Sequence, residues 1–150
     1  MPQWEWKEFS ELTLDALYAV LALRSEVFVV EQRSIYLDAD GLDARCHHLL
    51  ATERSEGGPF LAAYLRVLPP GLKFEEASIG RVVVSPEARR LGLGRELTTK
   101  GIAFVEAKYP GRRIRISAQH YLLQFYEGFG FRAEGDVYDE DGIPHIEMVR

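Results

Sequence analysis

Cysteine is nearly absent: Cys46 is the only one in 150 residues. An intramolecular disulfide, a multi-cysteine zinc site and a secreted disulfide scaffold are therefore all excluded. Long apolar runs are missing as well. Those present, Val27 to Val30 among them, fall far short of the ~20 residues a membrane helix needs. The first residues lack a signal-peptide apolar stretch, so a soluble, cytoplasmic protein without membrane contacts is the expectation. No repeat, low-complexity tract or Pro/Gly/Ser-rich stretch is long enough to separate two domains, which predicts one domain over residues 1–150.

What is present fits a globular chain. Hydrophobic residues make up 47% of it, and seven Tyr, eight Phe and two Trp argue against disorder. At this size roughly 70% of the unfolded surface leaves water on folding, enough for a core without a structural metal. The net charge of -5 speaks against a general nucleic-acid binder. That value hides a division along the chain. Arg81 to Arg115 holds nine basic and three acidic residues, a net of +6, whereas the remainder holds nine basic and twenty acidic, a net of -11.

Periodicity gives a mixed α/β order in which strands outnumber helices. Trp4 and Trp6 alternate with charged residues, as in a half-exposed strand. A helix capped by Thr13 follows, with Leu14, Leu17, Tyr18, Leu21 and Phe28 on the face expected to meet a sheet. After an acidic loop over Leu37 to Asp43, strands are predicted at His47 to Glu53, Leu61 to Val67 and Ala77 to Val84. A helix begins at Leu93, runs through Leu97, Gly101 and Phe104, and stops at Pro110-Gly111 before a strand at Ile114 to Ser117. Tyr121 to Phe129 reads as helix closed by Gly130. Arg132 to Tyr138 and Pro144 to Val149 read as a hairpin around Asp141-Gly142, with a loop expected to exceed two residues.

The segment Ile79 to Leu97 carries the chemistry: a β-branched strand, a short loop, the glycines Gly92 and Gly94, and a helix. Glycines let the backbone approach a ligand, and the helix start offers unpaired N–H groups at the positive end of its dipole. Arg89, Arg90 and Arg95 add charge-assisted donors. A phosphate or pyrophosphate suits this best. A dinucleotide loop would need a third glycine where Leu97 stands and an acid near Ile114-Arg115-Ile116; a P-loop would need Lys-Ser/Thr where Arg95-Glu96 stands.

The pattern Arg89-x-x-Gly92-x-Gly94, followed by Phe125-Tyr126-Glu127-Gly128-Phe129-Gly130-Phe131, resembles the two signatures of the GNAT (Gcn5-related N-acetyltransferase) family. Leu23 to Gln32, Asp40-Gly41-Leu42-Asp43 with His48, and Gly142 to Ile146 are similar to its ElaA-like branch. The resemblance implies a single domain with a mixed, mostly antiparallel central sheet flanked by helices, its two middle strands splayed. It implies acetyl-CoA as co-substrate, no metal, and transfer of the acetyl group to an amine by direct attack. Main-chain groups of Val82 and Val84 would hold the pantetheine arm, and the loop Arg89, Arg90, Gly92, Leu93, Gly94 and Arg95 the pyrophosphate. Gln119 stands where the family usually has Asn. Tyr126 would serve the leaving sulfur, and an N–H near Val82 the oxyanion. Glu31, His48, His145 and Glu147 are candidate bases, with Glu31 and His145 preferred.

Other residues receive plainer readings. His47 and His48 should point to opposite faces of a strand, which disfavours one shared metal site. Cys46 lacks an activating triad. Asp38, Asp40 and Asp43 lack the EF-hand spacing and are expected either to structure their loop or to attract a cationic acceptor. The partners expected are an amine-bearing small molecule, peptide or protein and a second copy of the chain, with no nucleic acid. A non-catalytic acyl-CoA-binding module is the alternative to an enzyme.

Overall fold

The alternation through Gln3–Glu8 forms β1 in the computed structural model, which describes residues 1–150. This strand pairs antiparallel with β2 (His47–Ser55), β2 with β3 (Gly58–Leu68), and β3 with β4 (Ser78–Val84). A second antiparallel sheet has the order β5-β7-β6, from β5 (Arg115–Gln119), β6 (Arg132–Glu140) and β7 (Ile143–Val149). The halves meet at one parallel bridge, Ala77 with Ile114, beside which Arg115 N–H donates to Ala77 O at 3.0 Å. Beyond that bridge β4 and β5 part.

Helix α1 (Leu14–Arg24) is capped as expected: Thr13 Oγ1 accepts the Ala16 N–H at 3.0 Å. Its buried face differs from the expected one. Leu14 and Tyr18 are 86% and 78% exposed, whereas Val20, Leu23, Arg24 and Val27 are buried. Ala16 to Leu23 is apolar on nearly every side, so periodicity could not choose among faces. Past Arg24 the helix widens into π-type turns over Ser25–Glu31, which a period of 3.6 cannot follow. Helix α2 (Leu93–Lys108) keeps its predicted stripe: Leu93, Leu97 and Gly101 are buried, and Phe104 stacks on Trp6 with centroids 4.0 Å apart. Helix α3 (Leu123–Glu127) is shorter than predicted, because His120–Leu122 forms a 3-10 turn. The last hairpin also corrects the reading. Glu140 pairs with Ile143, so Asp141-Gly142 is a two-residue turn, and its φ values of 54° and 83° are those a type I′ turn requires. No helix is long and apolar enough to cross a membrane.

Two cores hold the first sheet. On one face Leu97, Ile102 and Val105 of α2 meet Leu49, Leu65 and Ile79; on the other Val20, Leu23 and Val27 meet Leu50, Tyr64 and Val83. Ile79 and Val83, four residues apart in β4, would share a face in a regular strand. They do not, because Tyr64 pairs with Val83 but Arg66 with Gly80, which leaves β4 one residue longer than β3. This bulge sits at Arg81, whose φ is +52°; it bends the strand and redirects the side chains.

Three arginines interrupt apolar segments, and all three meet the acidic loop. Arg24 Nε donates to Asp38 Oδ2 at 2.8 Å and its Nη1 to Asp43 Oδ1 at 2.7 Å. Arg66 forks onto Asp40 at 2.9 and 2.5 Å and reaches Asp43 at 2.9 Å. Arg81 Nη2 donates to Asp38 O at 3.0 Å. Arg24 and Arg66 are 0% and 1% exposed, so their charges must be paired. Asp38, Asp40 and Asp43 are therefore structural ion-pair partners, and the alternative reading of them as free attraction for a cationic acceptor is corrected.

Two measurements check this network. Arg24→Met takes one of two cationic partners from each of Asp38 and Asp43 and should lower the unfolding free energy in urea by about 3 kcal/mol. Burial alone would raise the carboxyl pKa of Asp40 and Asp43, but hydrogen bonds from Arg66 and Arg24 outweigh it and hold both below the ordinary range. A depressed folded pKa adds stability that is present above the unfolded value of ~3.9 and is lost as pH falls through the folded value. The urea midpoint should thus decline below about pH 4, and less steeply in Asp40→Asn.

Candidate functional site

The parting of β4 and β5 opens a cleft of about 670 Å³. Its walls are unpaired strand edges. Ser85 N–H donates to Ala62 O on the β3 side at 2.8 Å, and main-chain groups alternate in direction along a strand. Those of Val82 and Val84 consequently turn to the open edge. On the opposite wall Arg115 points its N–H at β4, so the main chain of Ser117 and Gln119 turns toward the cleft by the same alternation. An extended ligand could add to either edge as a strand.

At one end of the cleft stands the N-terminus of α2. Gly92, at φ +70°, is its N-cap and supplies no capping side chain, so the first N–H groups of this 16-residue helix stay available. A Cβ at Gly94 would meet no atom within 4 Å, and Gly94 has no positive φ. The Leu93 side chain is buried in the core, so this residue can offer a ligand only its main chain. Arg90 and Arg95 are exposed, with Arg95 lying over the Phe129 ring at 5.4 Å. Arg89 alone of the three loop arginines lines the cleft itself.

Val82, Val84, Arg89, Gln119, Tyr126, Glu31 and His145 all line the cleft. Tyr126 is 8% exposed and its hydroxyl makes no hydrogen bond; burial pushes its pKa up to about 12, so it keeps its proton at neutral pH. Glu31 and Arg89 form a two-pronged ion pair, one prong at 3.0 Å, and the guanidinium holds the Glu31 carboxyl below the ordinary range. Gln119 exchanges two amide hydrogen bonds with Gln32, at 3.1 and 3.3 Å. His145 donates from Nδ1 to Ile143 O at 2.7 Å, and its Nε2 faces Glu140 Oε2 at 3.2 Å.

Two candidate bases lie elsewhere. His48 is 1% exposed, donates from Nε2 to Asp43 O at 2.9 Å and accepts at Nδ1 from Tyr64 Oη at 2.6 Å. It pins the acidic loop to the sheet, and burial lowers its pKa. Glu147 is paired with Arg115 at 2.9 Å, outside the cleft. His47 bonds Glu8 and Tyr109 on the face opposite His48. Cys46 is buried, which pushes its thiol up to about 11 and leaves it inert.

Sequence reasoning missed Gln32, Arg66, Lys73 and Arg81, all of which line the cleft. A signal existed for the arginines: Arg66 and Arg81 each break a β-branched or leucine-rich run opposite an acidic loop. Gln32 was marked only as the end of the Leu23 to Gln32 segment, with no role, and no signal in the sequence marked Lys73.

Residues 71–150 match the family model described as an acetyltransferase (GNAT) domain. A UPF0039 protein from Synechocystis is 42% identical over 97% of this chain and 93% of its own length. The protein ElaA of Escherichia coli is 40% identical over 100% of this chain and 97% of its own; its crystal structure superposes with a TM-score of 0.90 over 100% and 99% of the two chains. An acyl-CoA N-acyltransferase from Pseudomonas aeruginosa, 43% identical, superposes with a TM-score of 0.88 over 99% of each chain. The chain thus has full-length relatives in sequence and in fold, and it belongs to the GNAT family of acyltransferases, in its ElaA-like branch.

Proposed function

We propose that this acyltransferase moves an acetyl group from acetyl-CoA to an amine by direct attack, with both substrates held in the cleft. The carrying observation is Tyr126: its side chain is buried, its hydroxyl is protonated and without a partner, and it lines the cleft together with the open edge of β4. The residues present fit the coenzyme. Val82 and Val84 offer an unpaired strand edge to an extended amide-bearing arm, while the uncapped start of α2, the clear space at Gly94, and Arg89 suit a pyrophosphate. When bound, acetyl-CoA supplies an activated thioester.

The chain supplies orientation and proton handling. An acceptor amine of pKa ~10.4 is mostly protonated at pH 7, a cost of roughly 4–5 kcal/mol, whereas a thiol near 8.5 leaves readily. Loss of the amine proton is therefore the larger demand. His145, between Ile143 O and the Glu140 carboxylate, has acceptors on both ring nitrogens, an arrangement that suits holding a proton taken from the acceptor. Glu31 is a weak base while Arg89 holds it. As the new C–N bond forms and the C–S bond breaks, the Val82 N–H faces the oxyanion and Tyr126 donates a hydrogen bond to the departing thiolate. Because the Tyr126 pKa lies above that of a thiol, its proton need not transfer fully; the thiolate takes one from solvent.

Two variants test this. Gly94→Asp meets no steric obstacle, and an acid suits a helix start; the protein should fold normally while coenzyme affinity by calorimetry falls about tenfold or more. Unchanged affinity would refute the loop assignment. Tyr126→Phe should lower kcat roughly 10²-fold with near-normal coenzyme binding; an undiminished kcat would remove Tyr126 from the reaction. Coenzyme binding without turnover of any amine would favour the non-catalytic module instead.

A further inference from the structure

The cleft has an uneven distribution of charge partners. Arg66, Lys73 and Arg81 line one side of it, from β3, the β3–β4 loop and β4; Glu140 and Asp141 line the other, at the β6–β7 turn. On the cationic side the acids are already engaged. Both oxygens of Asp40 accept from Arg66, and Asp38 serves Arg24 and Arg81. Donors are left over nonetheless. Arg66 Nε and Arg81 Nε are both buried with no hydrogen-bond partner, although Arg81 Nε lies 2.8 Å from Asp38 Oδ1 as an ion pair; Arg81 gives Nη2 to Asp38 O and leaves Nη1 unengaged. Lys73 closes no ion pair; its Nζ lies 5.4 Å from the Phe74 ring centroid.

On the facing side Glu140 has one oxygen on His145, and Asp141 has no cationic partner. Lys73 and Glu140 are close enough to influence each other's charge yet form no bridge. Crowding by the loop lowers the Lys73 pKa and Glu140 opposes that shift, as expected for an ammonium short of solvent that an external anion could satisfy. Cations with free donors on one wall and carboxylates on the other are complementary to a small zwitterion.

We infer that the acceptor amine also carries a carboxylate, as in a free amino acid, held by Lys73 and Arg81 while its ammonium faces Glu140 and Asp141. This rests on the acetyl-transfer reading and names its substrate class. The carboxylate docks through charge-assisted hydrogen bonds, and the ammonium arrives beside the Glu140–His145 pair that accepts its proton. The bond formed is then the C–N bond of an N-acetyl amino acid and the bond broken is the thioester C–S. A polyamine would instead present its second positive charge to Lys73 and Arg81.

The test compares free amino acids, the same amino acids as carboxamides, and polyamines. Acetyl-CoA turnover and calorimetric binding to CoA-saturated protein are both measured, in the native protein and in Lys73→Met. The native kcat/KM should favour the free amino acid about tenfold or more over its carboxamide, the size of one hydrogen bond to a charged group. In Lys73→Met that ratio should shrink toward one with Tm unchanged. Equal turnover of carboxamides or polyamines, or equal losses on both in Lys73→Met, overturns the inference and leaves acetyl transfer standing. Lys73-dependent binding of free amino acids without any transfer keeps the inference and removes the catalytic reading. If no amine with a carboxylate binds or reacts, the inference is wrong.

Discussion

One bridge, Ala77 with Ile114, is the only strand pairing between the two sheets, and the rest of the molecule is arranged around the pairing that is missing beyond it. A strand edge inside a protein normally needs a partner, because buried N–H and C=O groups without one are costly. Here β4 and β5 both leave such groups facing a cleft. The Arg81 bulge is what keeps them apart: one extra residue bends β4 and moves Val83 to the α1 core while Val82 and Val84 pack toward the α2 core. A regular strand of the same residues could continue alongside β5 and would leave no room for an extended ligand.

The second constraint follows from the first. A bulge that directs an arginine out of an apolar strand needs anions in reach, and the Leu37 to Asp43 loop supplies them to Arg24, Arg66 and Arg81 together. His48, neutral and doubly bonded, fastens that loop to the sheet. The three acids of that loop are therefore internal partners rather than an external field. The cationic wall keeps spare donors, whereas the acidic loop has no spare oxygen on Asp40.

How much of this could be read from the sequence depended on whether local pattern or tertiary pairing decides the outcome. The strands, the Thr13 cap and the α2 stripe follow from spacing, and the Gly92–Gly94 loop from glycine chemistry, so all were legible. The face of α1 was not, because Ala16 to Leu23 has no polar side to exclude and the π-type turns shift the register. The two-residue turn at Asp141-Gly142 was underrated although its residue pair is the one a type I′ turn prefers. At the site, Tyr126 and Arg89 came from motif resemblance. The exclusion of His48 and Glu147 needed three-dimensional partners, Tyr64 and Arg115, that are 16 and 32 residues away in sequence.

The π-type turns have a consequence for the cleft. By widening the helix end they bring Glu31 and Gln32 to opposite walls: Glu31 bonds Arg89 beside α2, and Gln32 bonds Gln119 on β5. Ser34 extends the same strap to the β6–β7 turn by donating to Asp141 O at 2.6 Å. Three residues of one segment, Glu31, Gln32 and Ser34, thus tie together the walls that strand pairing does not. Two of their partners, Arg89 and Gln119, are the side chains that the family resemblance gives to the coenzyme. A pyrophosphate that takes Arg89 has only to displace Glu31 from a solvent-exposed ion pair, which is a weak interaction in water, and a pantetheine amide can replace Gln32 on Gln119 donor for donor. The strap therefore holds the parted walls through bonds that an anionic, amide-bearing ligand can exchange without leaving a buried group unpaired.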